Sequence, residues 1–185
     1  FTFGVLKADD KPILYLFDNA GGSGGGVITF PANTTNDNSW HLLTATYDFA
    51  TETMTGYIDG RDVTAASSVT AGTNGSINTS QNPSDFTIGT LLQVPTSFDW
   101  NGQLQLPMLY EGIWTPSEVR DLYLQNYENV TSPTYAWFLD GDTAHSIAGS
   151  SSLTASNSPT RYEDQQSPDW LNMQGWNVGN KGRFA

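Results

Sequence analysis

Residues 39–63, SWHLLTATYDFATETMTGYIDGRDV, constrain the fold more than any other stretch of the chain. Trp40, Leu42, Thr44 and Thr46 recur on one side with a period of two, and His41, Leu43, Ala45 and Tyr47 on the other. That is the spacing of a β-strand, not of a helix. Both sides carry apolar groups, so the strand is expected to be covered on both faces or to lie in the middle of a sheet, with Trp40 in the core. DFATET makes a connection, MTGYID returns, and Asp59-Gly60 offers the positive-φ positions of a tight hairpin turn into RDVTAAS.

The flanking text follows the same grammar. FTFGVLKA, a turn at DDKP, ILYLFDNA, a glycine run over 21–26, GVITF and the polar loop PANTTNDNS read as short strands separated by turn residues. Beyond the hairpin, SSVTAGTNGSINTSQNPSD reads as loop, and FTIGTLL and FDWNGQLQLPMLYEGI as strands. One run differs: in WTPSEVRDLYLQNYENV, Thr115 can cap a helix, Pro116 takes its first position and Glu118 completes a capping box. Val119, Leu122 and Tyr123 then share a face at helical spacing. SPTYAWFLDGDTAHSIAGSSSLTASNSP adds a strand and a small-residue loop, and residues 160–185 are polar with isolated tryptophans. Residues 131–185 are too few and too weakly apolar to form a second sandwich alone.

Composition narrows the function classes. The 185 residues include no cysteine, so burial and not disulfides must stabilise the fold. A net charge of −12, with only seven Lys and Arg, disfavours nucleic acid and anionic membranes, since phosphate binding needs basic side chains to release counterions. No apolar run approaches the roughly 20 residues that span a bilayer. The chain starts at Phe1 without a charged leader, as expected of a processed protein or an excerpt of a longer one. Four Asn-x-Ser/Thr sequons, at Asn33, Asn74, Asn78 and Asn129, are close to what chance gives in so Asn-, Ser- and Thr-rich a chain.

Taken together, the Trp-His strand with its Tyr continuation and Asp-Gly hairpin, the Ile-Gly strand FTIGTLL, and FDWNGQLQLPMLYEGIWTPSEVRDLY with its terminal Ser-Glu-Val helix resemble the laminin-G-like, concanavalin A-like family. The resemblance covers most of residues 1–128. It implies an all-β, two-sheet antiparallel jelly-roll sandwich with one short helix. YAWFLDGDTAHSIAGSSSLTASN resembles the opening of such a domain but comes last, so residues 1–130 read as a sandwich lacking its opening strand. Residues 131–185 either complete that sandwich as a permuted strand or begin a second copy. Completion is preferred, because an unpartnered strand would expose Trp137, Phe138 and Leu139 and an open edge.

Catalysis is not expected. A retaining glucanase needs two carboxylates about 5 Å apart, commonly from one strand as Glu-x-Asp-x-x-Glu, and that spacing does not occur. Glu52, Glu111, Glu118, Glu128 and Glu163 read as solvated surface groups, and His41 and His145 lack a Ser or Cys partner in an elbow motif. A Tyr-His lyase is the least excluded enzyme. Carbohydrate binding would need an aromatic platform with amides and carboxylates from loops, for which Trp170, Trp176, Trp100, Tyr110 and Trp114 are the candidates. Relatives of such a fold often hold calcium at the rim, and Asp140 and Asp142, with Asp48 and then Asp59 as weaker candidates, are the residues that fit a hard cation.

The function expected is a non-enzymatic recognition or adhesion module of a larger extracellular or virion-surface protein, binding a glycan or a protein surface. The alternative is a structural or decoration domain of a viral fibre or capsid, whose partners are subunits of its own assembly.

Overall fold

The computed structural model describes residues 2–6, 11–15, 26–48, 50–70, 87–88, 104, 106–139, 143–148 and 153–154. These form mostly short strands in small antiparallel sheets, with one α-helix among the described residues. By internal contacts the chain divides into two compact units, Phe1–Gly102 and Gln103–Ala185.

The first unit holds two sheets. Strands β1 (Thr2–Leu6), β2 (Lys11–Tyr15), β3 (Val27–Thr29), β7 (Ser68–Thr70) and β8 (Thr87–Ile88) form one, in the order β7-β3-β2-β1-β8. Strands β4 (Leu43–Asp48), β5 (Thr53–Ile58) and β6 (Arg61–Asp62) form the other, a meander. Pairing is antiparallel except between β1 and β8, which run parallel through Thr2↔Thr87 and Phe3↔Ile88, a departure from the wholly antiparallel expectation. The strand β7 lies in text read as loop; its Ser-Val-Thr pairs with β3 through Ile28↔Val69. Pro12 sits in β2 between two neighbours, a position that costs a ladder donor, but it lies next to the strand start and its carbonyl accepts from Phe30 N–H at 2.9 Å.

Side chains of the two sheets meet in one core. Ile28, Phe30 and Met54 are buried together, with Leu14, Ala45, Tyr47, Ile58 and Val63 packed on them. Ala45 pairs with Gly56 and Tyr47 with Met54, so these four positions share the inward face of the meander. Thr44 pairs with Tyr57 on the opposite face, and both are buried, as the apolar groups on both sides of this strand predict. Gly56 is what lets the sheets approach: a Cβ there would strike Ile28 Cδ1 and lie 3.0 Å from Phe30 Cε1. Asp59 and Gly60 carry φ of 53° and 72°, so the predicted hairpin turn forms where the sequence places it.

Trp40 corrects the expectation of a core indole: it is 36 % exposed. The ladder explains why. Leu43 is paired with Ile58, the last residue of β5, and Leu42 still meets Asp59, but the chain then turns at Asp59-Gly60 and no longer runs opposite Trp40 and His41. The period-two pattern continues past the end of the strand, but its burial does not.

The second unit carries β9 (Met108–Leu109), the helix α1 (Pro116–Tyr123), β10 (Tyr135–Leu139), β11 (Thr143–Ala148) and β12 (Leu153–Thr154). Its sheet order is β12-β11-β10-β9. The aromatic strand β10 therefore has two neighbours, pairing Tyr135 with Leu109 and Trp137 with Ser146. Helix α1 starts as predicted, with Thr115 as N-cap, Pro116 at the first position and a reciprocal capping box with Glu118. Val119 and Leu122 are buried, whereas Tyr123, expected on the same face, is 42 % exposed. The helix ends in a Schellman motif: Gln125 adopts φ 63°, its N–H donates to Leu122 O at 3.2 Å and Asn126 N–H donates to Asp121 O at 2.9 Å.

Candidate functional site

The turn between β5 and β6 gathers a polar cluster with the segment that leads into β4. Asp59 takes the left-handed turn position that Asp tolerates, which swings its carboxylate back over the start of β4. Its Oδ1 accepts from Leu42 N–H at 3.0 Å, while its own N–H donates to Leu42 O at 2.9 Å. The other oxygen, Oδ2, accepts from His41 Nδ1–H at 2.8 Å. On the far side of the ring, His41 Nε2–H donates to Asp37 Oδ1 at 3.0 Å.

A carboxylate accepts and does not donate, so an imidazole facing one at each nitrogen must carry both protons. The geometry therefore favours the imidazolium form of His41, with one carboxylate at each ring nitrogen. Its partial burial, with 16 % of the side chain exposed, opposes the charge, yet the hydrogen bonds and charges of Asp59 and Asp37 outweigh burial and hold its pKa above the ordinary 6.5. Asp37 is pushed below its ordinary 3.8, chiefly by the bond from His41 and then by the one from Ser39 N–H.

Asp37 Oδ1 grips both sides of one residue. It accepts from Ser39 N–H at 2.8 Å as well as from His41, and Trp40 lies between them. The preceding loop is braced by Thr34 Oγ1 donating to Pro31 O at 2.9 Å and Asn36 Nδ2 donating to Asn33 Oδ1 at 3.1 Å. Asn33 and Asn38 both sit at positive φ, 59° and 62°, where Asn is better tolerated than most residues. An exposed indole thus stands on a loop whose backbone is fixed by side chains, with the exposed Asn33, Asn36 and Asn38 in the same short segment.

The residues expected from sequence lie elsewhere. Trp114 is 7 % exposed; its indole N–H donates to Thr131 O at 2.8 Å and its ring stacks on Tyr110 at 5.4 Å and 19°. Tyr110 is half-buried and lies against Gly112, where a Cβ would come within 2.5 Å of its Cζ. Asp48 closes its own turn, accepting from Ala50 N–H and Thr51 Oγ1–H, both at 2.8 Å. Trp100, Trp170, Trp176, Asp140 and Asp142 lie outside the described residues. Among the described residues no group of three or more His, Asp or Glu is placed to hold a metal ion.

Glu118 is not the solvated carboxylate expected. Oε2 accepts from Thr115 N–H and Oγ1–H, both at 2.8 Å, and Oε1 from Thr131 N–H at 3.0 Å and Oγ1–H at 2.6 Å. The bond from the Thr131 hydroxyl, followed by that from Thr115 N–H, leads in drawing its pKa down to about 2. With Trp114 bonded to the carbonyl of the same Thr131, this cluster is a structural clasp on the helix start.

Sequence reading missed the Asp37–His41–Asp59 cluster as a unit and counted His41 within the strand, which begins at Leu43. The available signal was an Asp at the first position of the hairpin turn, whose side chain points back across the ladder. No family model, curated protein or solved structure matches the chain. No described helix is long and apolar enough to cross a membrane.

Proposed function

We propose that the chain is a non-enzymatic recognition module, a laminin-G-like jelly-roll domain of a larger extracellular or virion-surface protein that binds glycans through a rim loop. The observation that carries this reading is the exposed Trp40 ring on a loop fixed on both sides of it. Sugars offer an apolar face to a ring and hydroxyls to nearby amides, and a platform that is already rigid loses little freedom on binding. Asn33, Asn36 and Asn38 are the amides of that loop. The two carboxylates on His41 favour recognition over catalysis, because a general base needs one ring nitrogen open to the substrate.

A glycan array probed with wild-type chain and with Trp40→Ala, with and without calcium on account of the Asp140-Gly-Asp142 pair, tests the proposal. The expected result is binding by the wild type that weakens at least tenfold in the variant. A blank array from folded wild-type protein in both conditions overturns it.

A second reading, a structural or decoration domain of a viral assembly, is favoured by the apolar side chains left open in the second unit, Ile113 at 48 % and Leu124 at 50 % exposure with Tyr123 beside the latter. Sedimentation of the full chain separates the two: self-association lost in Leu124→Ser supports the assembly role, and a monomer at all concentrations excludes it.

A further inference from the structure

We infer that Asp37, His41 and Asp59 form a proton-operated clasp that holds the Trp40 loop to the hairpin and opens when His41 loses its proton. The proposal regulates the site named under Proposed function and takes its biological meaning from that reading, but the clasp itself is a property of three side chains.

The geometry sets which arm opens. A neutral imidazole keeps one N–H, so one of its two carboxylate partners must then face a nitrogen lone pair. The Asp59 arm is the tighter and more enclosed: it is 2.8 Å long, Asp59 is 25 % exposed, and the same carboxylate is tied to Leu42 N–H. The Asp37 arm is 3.0 Å long and Asp37 is 55 % exposed. The proton left on the ring therefore stays on Nδ1, and Nε2 turns a lone pair towards Asp37 Oδ1. Two electron-rich atoms at hydrogen-bond distance repel, and Asp37 moves away. Asp37 keeps its bond from Ser39 N–H, so the local turn survives, but the bridge across Trp40 is lost.

The charged groups acting on His41 are Asp59, from the β5–β6 turn, and Asp37, from its own loop. Both carboxylates accept from the ring in the closed state and favour it. The two arms lie on opposite edges of the ring, so a single proton decides whether Asp37 is bridged through His41 to the hairpin turn, while the Leu42–Asp59 bonds persist in both states. The site would then grip its ligand more firmly on the acid side of the transition and less firmly above it.

The test is made on the full chain without ligand. Acrylamide quenching assigned to Trp40, as wild type minus Trp40→Phe, is followed from pH 5 to pH 9 beside an NMR titration of the His41 ring. The expected result is a low, flat quenching constant at acid pH that rises at least 1.5-fold with the midpoint of the ring titration. His41→Gln should show no such step, and Asp37→Asn, a change at the exposed arm, should lower the midpoint of the ring titration and abolish the quenching step, because its amide can donate to the neutral Nε2. A quenching constant that is flat across the ring titration, or a step that persists in His41→Gln, overturns the clasp. A blank glycan array beside an intact quenching step removes the recognition reading and leaves the clasp standing, whereas glycan affinity and Trp40 quenching that are both independent of pH remove the clasp alone.

Discussion

Single residues carry unequal shares of this fold, and Gly56 carries one of the larger ones. Its N–H donates to Thr64 Oγ1 at 3.0 Å, its carbonyl accepts from Val63 N–H at 2.9 Å, and its missing side chain admits Ile28 and Phe30 from the facing sheet. Gly56→Ala should therefore destabilise the protein by about 1–3 kcal/mol, the usual cost of forcing a methyl group into a packed core. Urea denaturation measures it, and a variant as stable as wild type would mean that Ile28 swings aside freely. Nothing in the sequence marks this glycine, since its demand comes from a sheet formed by residues far along the chain. The glycine at position 60 is different. It was legible beside Asp59 because a positive φ is a local requirement that only a few residue types meet, and Gly60 sits at 72° as that requirement predicts. Trp40 shows the converse error: period two identifies strand geometry, but where the partner strand turns away is not written in the strand itself.

At the scale of elements, the ends of α1 are as specified as its face. Its N-terminus was readable because the capping box consists of neighbours in sequence, Thr115 and Glu118, and the structure contains it. The extension of Glu118 to Thr131 was not, because the partner lies 13 residues on. The C-terminus uses Gln125 at φ 63°, where a side chain strains against the backbone. A left-handed L-residue costs about 1–2 kcal/mol, of which glycine returns a part to the unfolded chain's entropy. Gln125→Gly should stabilise the protein by roughly 0.5–1 kcal/mol, a rise of about 1–4 °C in Tm by calorimetry. An unchanged or lower Tm would show that the Gln125 side chain contributes contacts worth the strain. Strand β7 eluded sequence reading for a related reason. Ser68-Val69-Thr70 is as polar as the loop around it, and pairing with β3 selects it.

For the whole molecule, the ionisable groups set a common dependence on pH. A group whose pKa is raised by folding, as for His41, stabilises fully below its ordinary 6.5 and loses that contribution as pH rises through the folded value. Groups whose pKa is lowered behave in the opposite sense: Asp37 contributes fully above 3.8 and Glu118 above 4.5, and both contributions fade as pH falls, that of Glu118 on approaching about 2. All three act together between pH 4.5 and 6.5. Net charge points the same way. With 19 Asp and Glu against seven Lys and Arg, the chain carries −12 at pH 7, and this self-repulsion eases as pH falls towards the carboxylate range. The maximum of stability is therefore expected on the acid side of neutrality, between about pH 4.5 and 6.5, which is where His41 is charged and the carboxylates are still ionised. Salt should separate the two causes. Screening weakens repulsion among exposed charges most where the net charge is largest, so adding 0.15 M NaCl should raise Tm more at about pH 8 than at about pH 5. His41→Gln should flatten the fall in Tm between about pH 6 and 8 while leaving the salt effect in place, because it removes a site and not the net charge. A Tm that climbs steadily from pH 5 to 8 in wild-type protein would contradict both the raised pKa of His41 and the weight given to repulsion.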